Sequence, residues 1–399
     1  MKALKSMRLH IGFFGKTNVG KSSILNRITN QEISIVSEIA GTTTDVVEKS
    51  MELLPVGPVT LLDTAGIDDK SELSEQRIEK TLKVFNRIDI GVIVCDFKGF
   101  SEYEFELVKN FEELNIPYIV IVNKSDIEEI SKENLEKIPT DKVLVTSARV
   151  DKQLVFNFKQ TLVKLLPEDF VNSPKIVGDL VPEKSTVILV IPIDKEAPKG
   201  RIILPQVQTI RDLLDNNCLT YVVKENELKQ AIENLKTPPA LVVTDSQAFK
   251  KVSEIVPNDI PLTSFSILFA RLKGDLEEFS KGAKAIESLQ DGDSVLILES
   301  CTHHAIEDDI GRVKIPNLLR KKTGKNLIID NYSGHDFPDI SQYKLIIHCG
   351  ACMTNRREVL SRILLANKAN IAITNYGIVI SYCLGILERA IKIFNIKIG

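Results

Sequence analysis

The sequence predicts an α/β protein: a doubly wound domain followed by two smaller α/β domains with mostly parallel sheets. Three observations carry this. The chain has 399 residues, which at roughly 100–200 residues per domain is too long for one core. Short apolar runs alternate with stretches of helical period, the pattern of a sheet wound on both faces. Prolines and small polar residues interrupt that pattern at two places, around Pro167 and Asn172–Lys175 and again at Pro257 and Pro261. The implied domains are 1–168, 175–262 and 263–399.

In the first domain the runs Leu9–Phe14, Val59–Leu62, Ile90–Cys95, Tyr118–Val122 and Val143–Thr146 read as buried strands. The stretches from Lys21, Ser74, Glu102, Lys132 and Gln153 read as helices. The second domain opens on the strand Ser185–Pro192 and continues with Thr209–Leu214, Leu219–Val223, Glu227–Leu235 and Ala240–Thr244. The third begins with one long helix, Ser266–Leu289. It continues through Val295–Glu299, Ile315–Lys322, Leu327–Tyr332, Leu345–His348, Arg356–Ala366, Ile371–Thr374 and Val379–Phe394.

Composition excludes several classes. With 43% apolar and 26% charged residues, the chain is not a disordered one. Lys and Arg total 51 against 54 Asp and Glu, a net charge of −3, so no bulk field favours nucleic acid or a membrane surface. The uncharged stretch from Ala369 to Leu387 approaches spanning length, but its Asn, Thr, Tyr, Gly and Ser residues suit a strand, a turn and the start of a helix. The opening residues do not read as a signal peptide. The expected location is cytoplasmic. Six cysteines in such a length make no disulfide framework. Cys95, Cys218 and Cys383 sit singly in apolar runs, as small core residues do.

Between the first strand and first helix lies Gly15-Lys16-Thr17-Asn18-Val19-Gly20-Lys21-Ser22-Ser23, which fits G-x-x-x-x-G-K-[ST]. Its backbone N–H groups and helix N-terminus suit a phosphate chain. Lys21 would neutralise the β- and γ-phosphates, and Ser22 would reach Mg²⁺. Asp63-Thr64-Ala65-Gly66 follows a strand, so Asp63 can hold Mg²⁺ through water and the Gly66 N–H can meet the γ-phosphate. Asn123-Lys124-Ser125-Asp126 follows another strand. A carboxylate there accepts from the N1–H and N2–H₂ edge of guanine, which adenine lacks. Ser147 and Ala148 complete the base pocket. The first domain is therefore read as a P-loop GTPase domain.

Over residues 8–165 the sequence resembles the TrmE–Era-type GTPases. The resemblance implies Thr43, in Gly41-Thr42-Thr43-Thr44-Asp45, as the second Mg²⁺ ligand. It also implies that Asn18 helps bind an activating K⁺. Ile67, after the Asp63–Gly66 motif, cannot orient the attacking water. Glu75 stands at the spacing of a distant water-orienting glutamate, its other reading being a solvated helix carboxylate. Slow basal hydrolysis is expected.

The third domain carries Cys301-Thr302-His303-His304 and His348-Cys349-Gly350-Ala351-Cys352, each just beyond an apolar strand. Ligand sites of open α/β sheets form at that edge. Three thiolates and a histidine suit tetrahedral zinc, and three thiolates with an exchangeable fourth position suit an iron–sulfur cluster equally. The fourth ligand is open among His303, His348, a carboxylate such as Glu299, and solvent. His304 and His335 read as hydrogen-bonding loop residues.

Taken together, the GTPase motifs, the middle α/β unit and the paired C-x-H and H-C-x-x-C segments resemble the HydF family of [FeFe]-hydrogenase maturation GTPases. The stretches Lys199–Gln208 and Asp308–Asn317 belong to the resemblance. It implies a homodimer formed by the middle domain and a [4Fe–4S] cluster on Cys301, Cys349 and Cys352, with His303 and His348 in its surroundings. It further implies GTP, Mg²⁺ and K⁺ as cofactors, and a scaffold that carries a diiron precursor. Its partners would be the [FeFe]-hydrogenase apoprotein and radical-SAM maturation enzymes, with no stable nucleic acid and no membrane. The alternative is a tRNA- or ribosome-associated GTPase with a structural Cys₃His zinc module.

Overall fold

The computed structural model describes residues 8–29, 38–39, 47–64, 84–166, 175–193, 202–299, 310–334, 337–351 and 354–396. The chain forms two compact units, Met1–Ser173 and Pro174–Gly399.

The first unit is built on a seven-stranded sheet: β1 (Leu9–Phe14), β2 (Glu38–Ile39), β3 (Val47–Leu53), β4 (Gly57–Asp63), β5 (Ile90–Cys95), β6 (Tyr118–Val122) and β7 (Val143–Val145). The order is β2-β3-β4-β1-β5-β6-β7. Strands β4, β1, β5, β6 and β7 run parallel, while β3 pairs antiparallel with both β2 and β4. β1 and β5 are buried at every position, as central strands covered on both faces must be. One face packs Ile24, Leu25 and Ile28 of the helix Lys21–Thr29. Their spacing of three and four places them on one stripe. The other face holds Phe14, Phe85 and Phe111, ring centroids 5.1–5.3 Å apart. The expected helix from Ser74 lies outside the described residues up to position 83.

The second unit contains two four-stranded sheets, entirely parallel. β8 (Thr186–Val190), β9 (Leu219–Val223), β10 (Leu241–Thr244) and β11 (Leu262–Ser264) lie in the order β11-β10-β8-β9. β12 (Ser294–Glu299), β13 (Ile328–Ser333), β14 (Leu345–His348) and β15 (Ala372–Asn375) lie in the order β13-β12-β14-β15. A single apolar core runs through both, from Ile188 and Val242 to Ile347, Ile373 and Ile391. Each such side chain contributes about 1.5–3 kcal/mol of burial.

Two differences from the sequence reading have local causes. The expected helix Ser266–Leu289 is two helices, Phe265–Lys273 and Leu276–Lys284, followed by a short 3₁₀ turn. Gly274 ends the first, and the Asp275 carboxylate accepts from the Glu277 and Glu278 N–H groups to start the second. A glycine stop followed by an acidic N-cap is a legible signal that continuous apolar periodicity hid. Likewise Val379–Phe394 divides, with Gly385 at φ 74°, into parts of the helices Tyr376–Cys383 and Leu387–Ile391. The uncharged stretch is thus a strand, a helix and a turn. Among the described residues no helix is long and apolar enough to cross a membrane.

Candidate functional site

The loop after β1 is shaped by contacts that admit only glycine at two places. A Cβ on Gly15 (φ 142°) would lie 2.1 Å from the Val94 carbonyl oxygen, and one on Gly20 (φ 96°) would lie 2.2 Å from Asn123 Nδ2. Between them Asn18 also adopts a left-handed conformation, φ 65°, which asparagine tolerates better than most residues. Lys21 is buried, and its ammonium donates to the carbonyls of Gly15 and Lys16. The polypeptide loop is therefore already wrapped around the charge that would meet a phosphate.

Asn123 joins three loops. Its Nδ2 donates to the Val19 carbonyl at 2.9 Å, and its Oδ1 accepts from the Ala148 N–H at 2.9 Å. The Ser125 N–H donates to Thr146 O at 3.1 Å, drawing the same loops together. Lys124, at φ 68°, lies 3.9 Å from Asp96. Around this framework is a cavity of about 560 Å³. Every GTP-site residue expected from the sequence lines it except Gly15 and Val19: Lys16, Thr17, Asn18, Gly20, Lys21, Ser22, Ser23, Asn123, Lys124, Asp126, Ser147 and Ala148. Ile127 and Arg149 also line it. The sequence reading missed both, although each directly follows a motif residue. Asp63 closes β4 in register with Phe13, two residues before Gly15. Its neighbour Thr64 donates through Oγ1 to Phe13 O at 2.6 Å. Ser22 and Asn18 line the cavity, and Asp63 stands at the end of the strand next to β1. Thr43, Gly66 and Glu75 lie outside the described residues.

In the last sheet β12 and β14 are neighbours from which the chain winds outwards in opposite directions. That is a topological switch point, where ligand crevices form. Leu298 and His348 are in register there. His348 is 1% exposed. Arg362 donates to its Nε2 (2.8 Å), so Nδ1 carries the proton and donates to the Cys349 carbonyl (2.8 Å). Burial, then the nearby Arg362 charge, pushes its pKa down to about 3. With both nitrogens engaged, this imidazole ties the Cys349 backbone to Arg362.

Cys349 Sγ accepts from the Ala351 N–H at 3.4 Å, and Ala351 is left-handed at φ 53°. Glu299, 2% exposed, accepts from Tyr376 at 3.2 Å and Ser333 at 3.1 Å, with Arg312 3.8 Å away. Cys301, His303 and Cys352 lie outside the described residues, as do His304 and His335. Among the described residues no group of three His, Cys, Asp or Glu is gathered as for a metal ion. Cys95 and Cys383 are set apart chemically: burial pushes their thiols up to about 12 and about 11.

Fold and site together define a P-loop GTPase unit joined to a second unit of two parallel α/β sheets, the last bearing a cysteine loop at its switch point. Three family models match in succession. They are the 50S ribosome-binding GTPase over residues 10–124, the hydrogen maturase F dimerization domain over 176–274 and the hydrogen maturase F tetramerization domain over 277–393. The chain belongs to the hydrogen maturase F family. The last two models meet near Gly274, where the helix is interrupted. Curated relatives named as GTPases match about a third of the chain. The tRNA modification GTPase MnmE of Prochlorococcus marinus (strain NATL1A) is 36% identical over 132 residues, 33% of this chain and 28% of its own. The GTPase Der of Clostridium botulinum (strain Loch Maree / Type A3) is 34% identical over 164 residues, 37% of each chain. The chain thus spans about a third of the length of these relatives. A crystal structure of Aquifex aeolicus Era bound to GDP·AlF4− aligns over 54% of this chain and 93% of its own, at 20% identity and TM-score 0.32.

Proposed function

We propose that the protein is a GTP-hydrolysing scaffold of [FeFe]-hydrogenase maturation that binds a [4Fe–4S] cluster and delivers the diiron precursor of the hydrogenase cofactor. GTP binds along the loop after β1, with its phosphates on the N–H groups of residues 15–23 and the ammonium of Lys21. Guanine is selected by Asp126 and held between the loops that Asn123 ties together. Ser22, Asp63 and Thr43 hold Mg²⁺, which supplies charge to the β- and γ-phosphates. Asn18 holds K⁺, which takes the place of an arginine finger. Gly66 contacts the γ-phosphate, and Glu75 orients the water.

Cys301, Cys349 and Cys352 would hold the cluster, which when bound supplies a fourth iron with a replaceable ligand. The observation that supports this is the loop of Cys349. It leaves β14 at the switch point with an N–H aimed at the thiol sulfur, the kind of hydrogen bond that tunes sulfurs ligating iron. The middle domain, residues 175–262, pairs two copies of the chain as a homodimer. The hydrogenase apoprotein and radical-SAM maturation enzymes are its partners, in the cytoplasm.

The test is the iron, sulfide and zinc content of anaerobically purified protein, beside Cys301→Ser, Cys349→Ser and Cys352→Ser. Brown protein with near-equal iron and sulfide, lost in each variant while GTP hydrolysis persists, is expected. Colourless protein with one zinc per chain would remove the maturation reading in favour of a tRNA- or ribosome-associated GTPase.

A further inference from the structure

The segment that joins β5 to the helix Glu102–Glu113 carries none of the phosphate or base motifs, yet it reaches the nucleotide cavity at two places. Asp96, the first residue after β5, has its Oδ2 3.9 Å from Lys124 Nζ. Glu104 has its Oε2 3.9 Å from Lys16 Nζ. Both lysines line the cavity, Lys16 in the loop after β1 and Lys124 between Asn123 and Asp126.

The segment is itself held in place. The Lys98 N–H donates to Asp96 Oδ1 at 3.1 Å, and the Gly99 N–H donates to Asp96 O at 3.0 Å. One oxygen of the carboxylate is thus engaged in its own turn, and the other is left towards Lys124. Asn134, on the helix Lys132–Glu136, donates through Nδ2 to Lys98 O at 3.1 Å. A Cβ on Gly99 (φ 77°) would lie 3.0 Å from Asn134 Cβ, so turn and helix are pressed together. At the far end Glu104, 1% exposed, accepts from the Ser101 N–H at 2.9 Å and from the Ser101 hydroxyl.

Lys124 is left-handed at φ 68°, a conformation that persists in a non-glycine residue only where its surroundings hold it. Its side chain and that of Asp96 are 29% and 19% exposed. A lysine can lay its apolar stem along one surface while its ammonium is satisfied on another.

We propose that Asp96 is the positioning residue of the base pocket. It anchors the Lys124 ammonium, so that the lysine stem stands as a fixed wall for guanine. The inference rests on the placement of guanine at Asp126 given above. Without the anchor, the nucleotide itself must immobilise a side chain rich in rotamers, which weakens binding. The sign of the effect is diagnostic. A carboxylate near a cavity that takes a polyphosphate repels it, so loss of the charge alone would tighten binding, whereas loss of the anchor loosens it.

Full-length Asp96→Asn, Asp96→Glu, Lys124→Met and the double variant Asp96→Asn/Lys124→Met are compared with wild type. Glu102→Gln, exposed at the start of the next helix, is the control. Dissociation rates of fluorescent GTP and GDP analogues are followed, together with kcat at saturating GTP. Asp96→Asn is expected to release both nucleotides roughly 2–10-fold faster, the range for freezing one long side chain on binding. The factor should be the same for GTP and GDP, which share the base, and kcat should stay at the wild-type value. Asp96→Glu, which keeps the charge, should lie nearer wild type. In the Lys124→Met background the Asp96→Asn change should speed release no further.

Wild-type release from Asp96→Asn, or an equal acceleration with and without the lysine, would overturn the proposal. If Asp96→Asn does not fold, Asp96→Glu with and without Lys124→Met decides. A change confined to the chain that keeps Lys124 supports the anchor, and no change or an equal one overturns it. Asp126→Asn is measured alongside. Unchanged GTP affinity there removes guanine from this pocket and the role of Asp96 with it, whereas weakened binding there beside wild-type release from Asp96→Asn removes the role of Asp96 alone.

Discussion

Replacing Asn123 by Ala tests how the nucleotide pocket is assembled. The side chain is 3% exposed and makes two 2.9 Å hydrogen bonds, one to the loop after β1 and one to the loop after β7. Truncation strands the Val19 carbonyl and the Ala148 N–H. A buried polar group left unpaired costs about 1–3 kcal/mol. Val19 is buried, so its carbonyl carries most of that cost. Ala148 borders the cavity, where water can partly replace the lost acceptor. The sum is about 2–3 kcal/mol, or roughly a 30- to 150-fold loss if expressed as affinity. Part will appear as lower stability of the first unit, because the same bonds close it without nucleotide. Titration with a fluorescent guanine nucleotide and denaturant unfolding on the same preparation separate the two shares. Asn123→Asp keeps the acceptor for Ala148 but buries a carboxylate against the Val19 carbonyl, so it should lose at least as much as Asn123→Ala. If Asn123→Ala matches wild type in both affinity and unfolding, the three loops are held by something else.

Asp126→Asn should weaken GTP binding by roughly 100-fold or more, since two donors of guanine lose a charged acceptor. Affinity should move towards xanthosine nucleotides, and unchanged GTP affinity would place the base elsewhere. The raised thiol pKa values of Cys95 and Cys383, about 12 and about 11, keep both protonated at pH 8. A thiol raised in the folded state gains reactivity only as pH climbs towards that value. Iodoacetamide mapping of native protein at pH 8 should therefore spare both, and rapid labelling of either would contradict the burial described. On the edge strand β9, Leu219 and Tyr221 are 60% and 45% exposed, an uncovered edge of the kind that pairs with another chain. Leu219→Lys combined with Tyr221→Lys should shift the protein to monomer in sedimentation, and an unchanged oligomer would move the interface elsewhere.

Much of the molecule was legible because neighbouring residues decide it. The loop from Gly15 to Ser23 could be read because phosphate binding needs specific types at fixed spacing, followed directly by a helix. β1 and β5 were legible because strands buried on both faces are almost wholly apolar, His10 being the one polar residue in the two. The single helix expected over Ser266–Leu289 failed for a related reason. Its apolar period passes through Gly274 and Asp275, and only the stop-and-cap chemistry at that pair reveals the break.

What the sequence could not supply is which distant groups meet. Nothing local to Asn123 says that it links Val19 to Ala148, and nothing local to Lys273 places its ammonium on carbonyls 78 and 81 residues away. The sequence singled out His348 because it stands beside Cys349. Only the packed structure shows its ring held between Arg362 and a backbone carbonyl. The physical reason is one of range. Residue type and spacing determine strands, caps and phosphate loops through contacts within a few residues. The partner of a buried polar group is set by the order in which strands are wound into the sheet, and that order is a property of the whole fold.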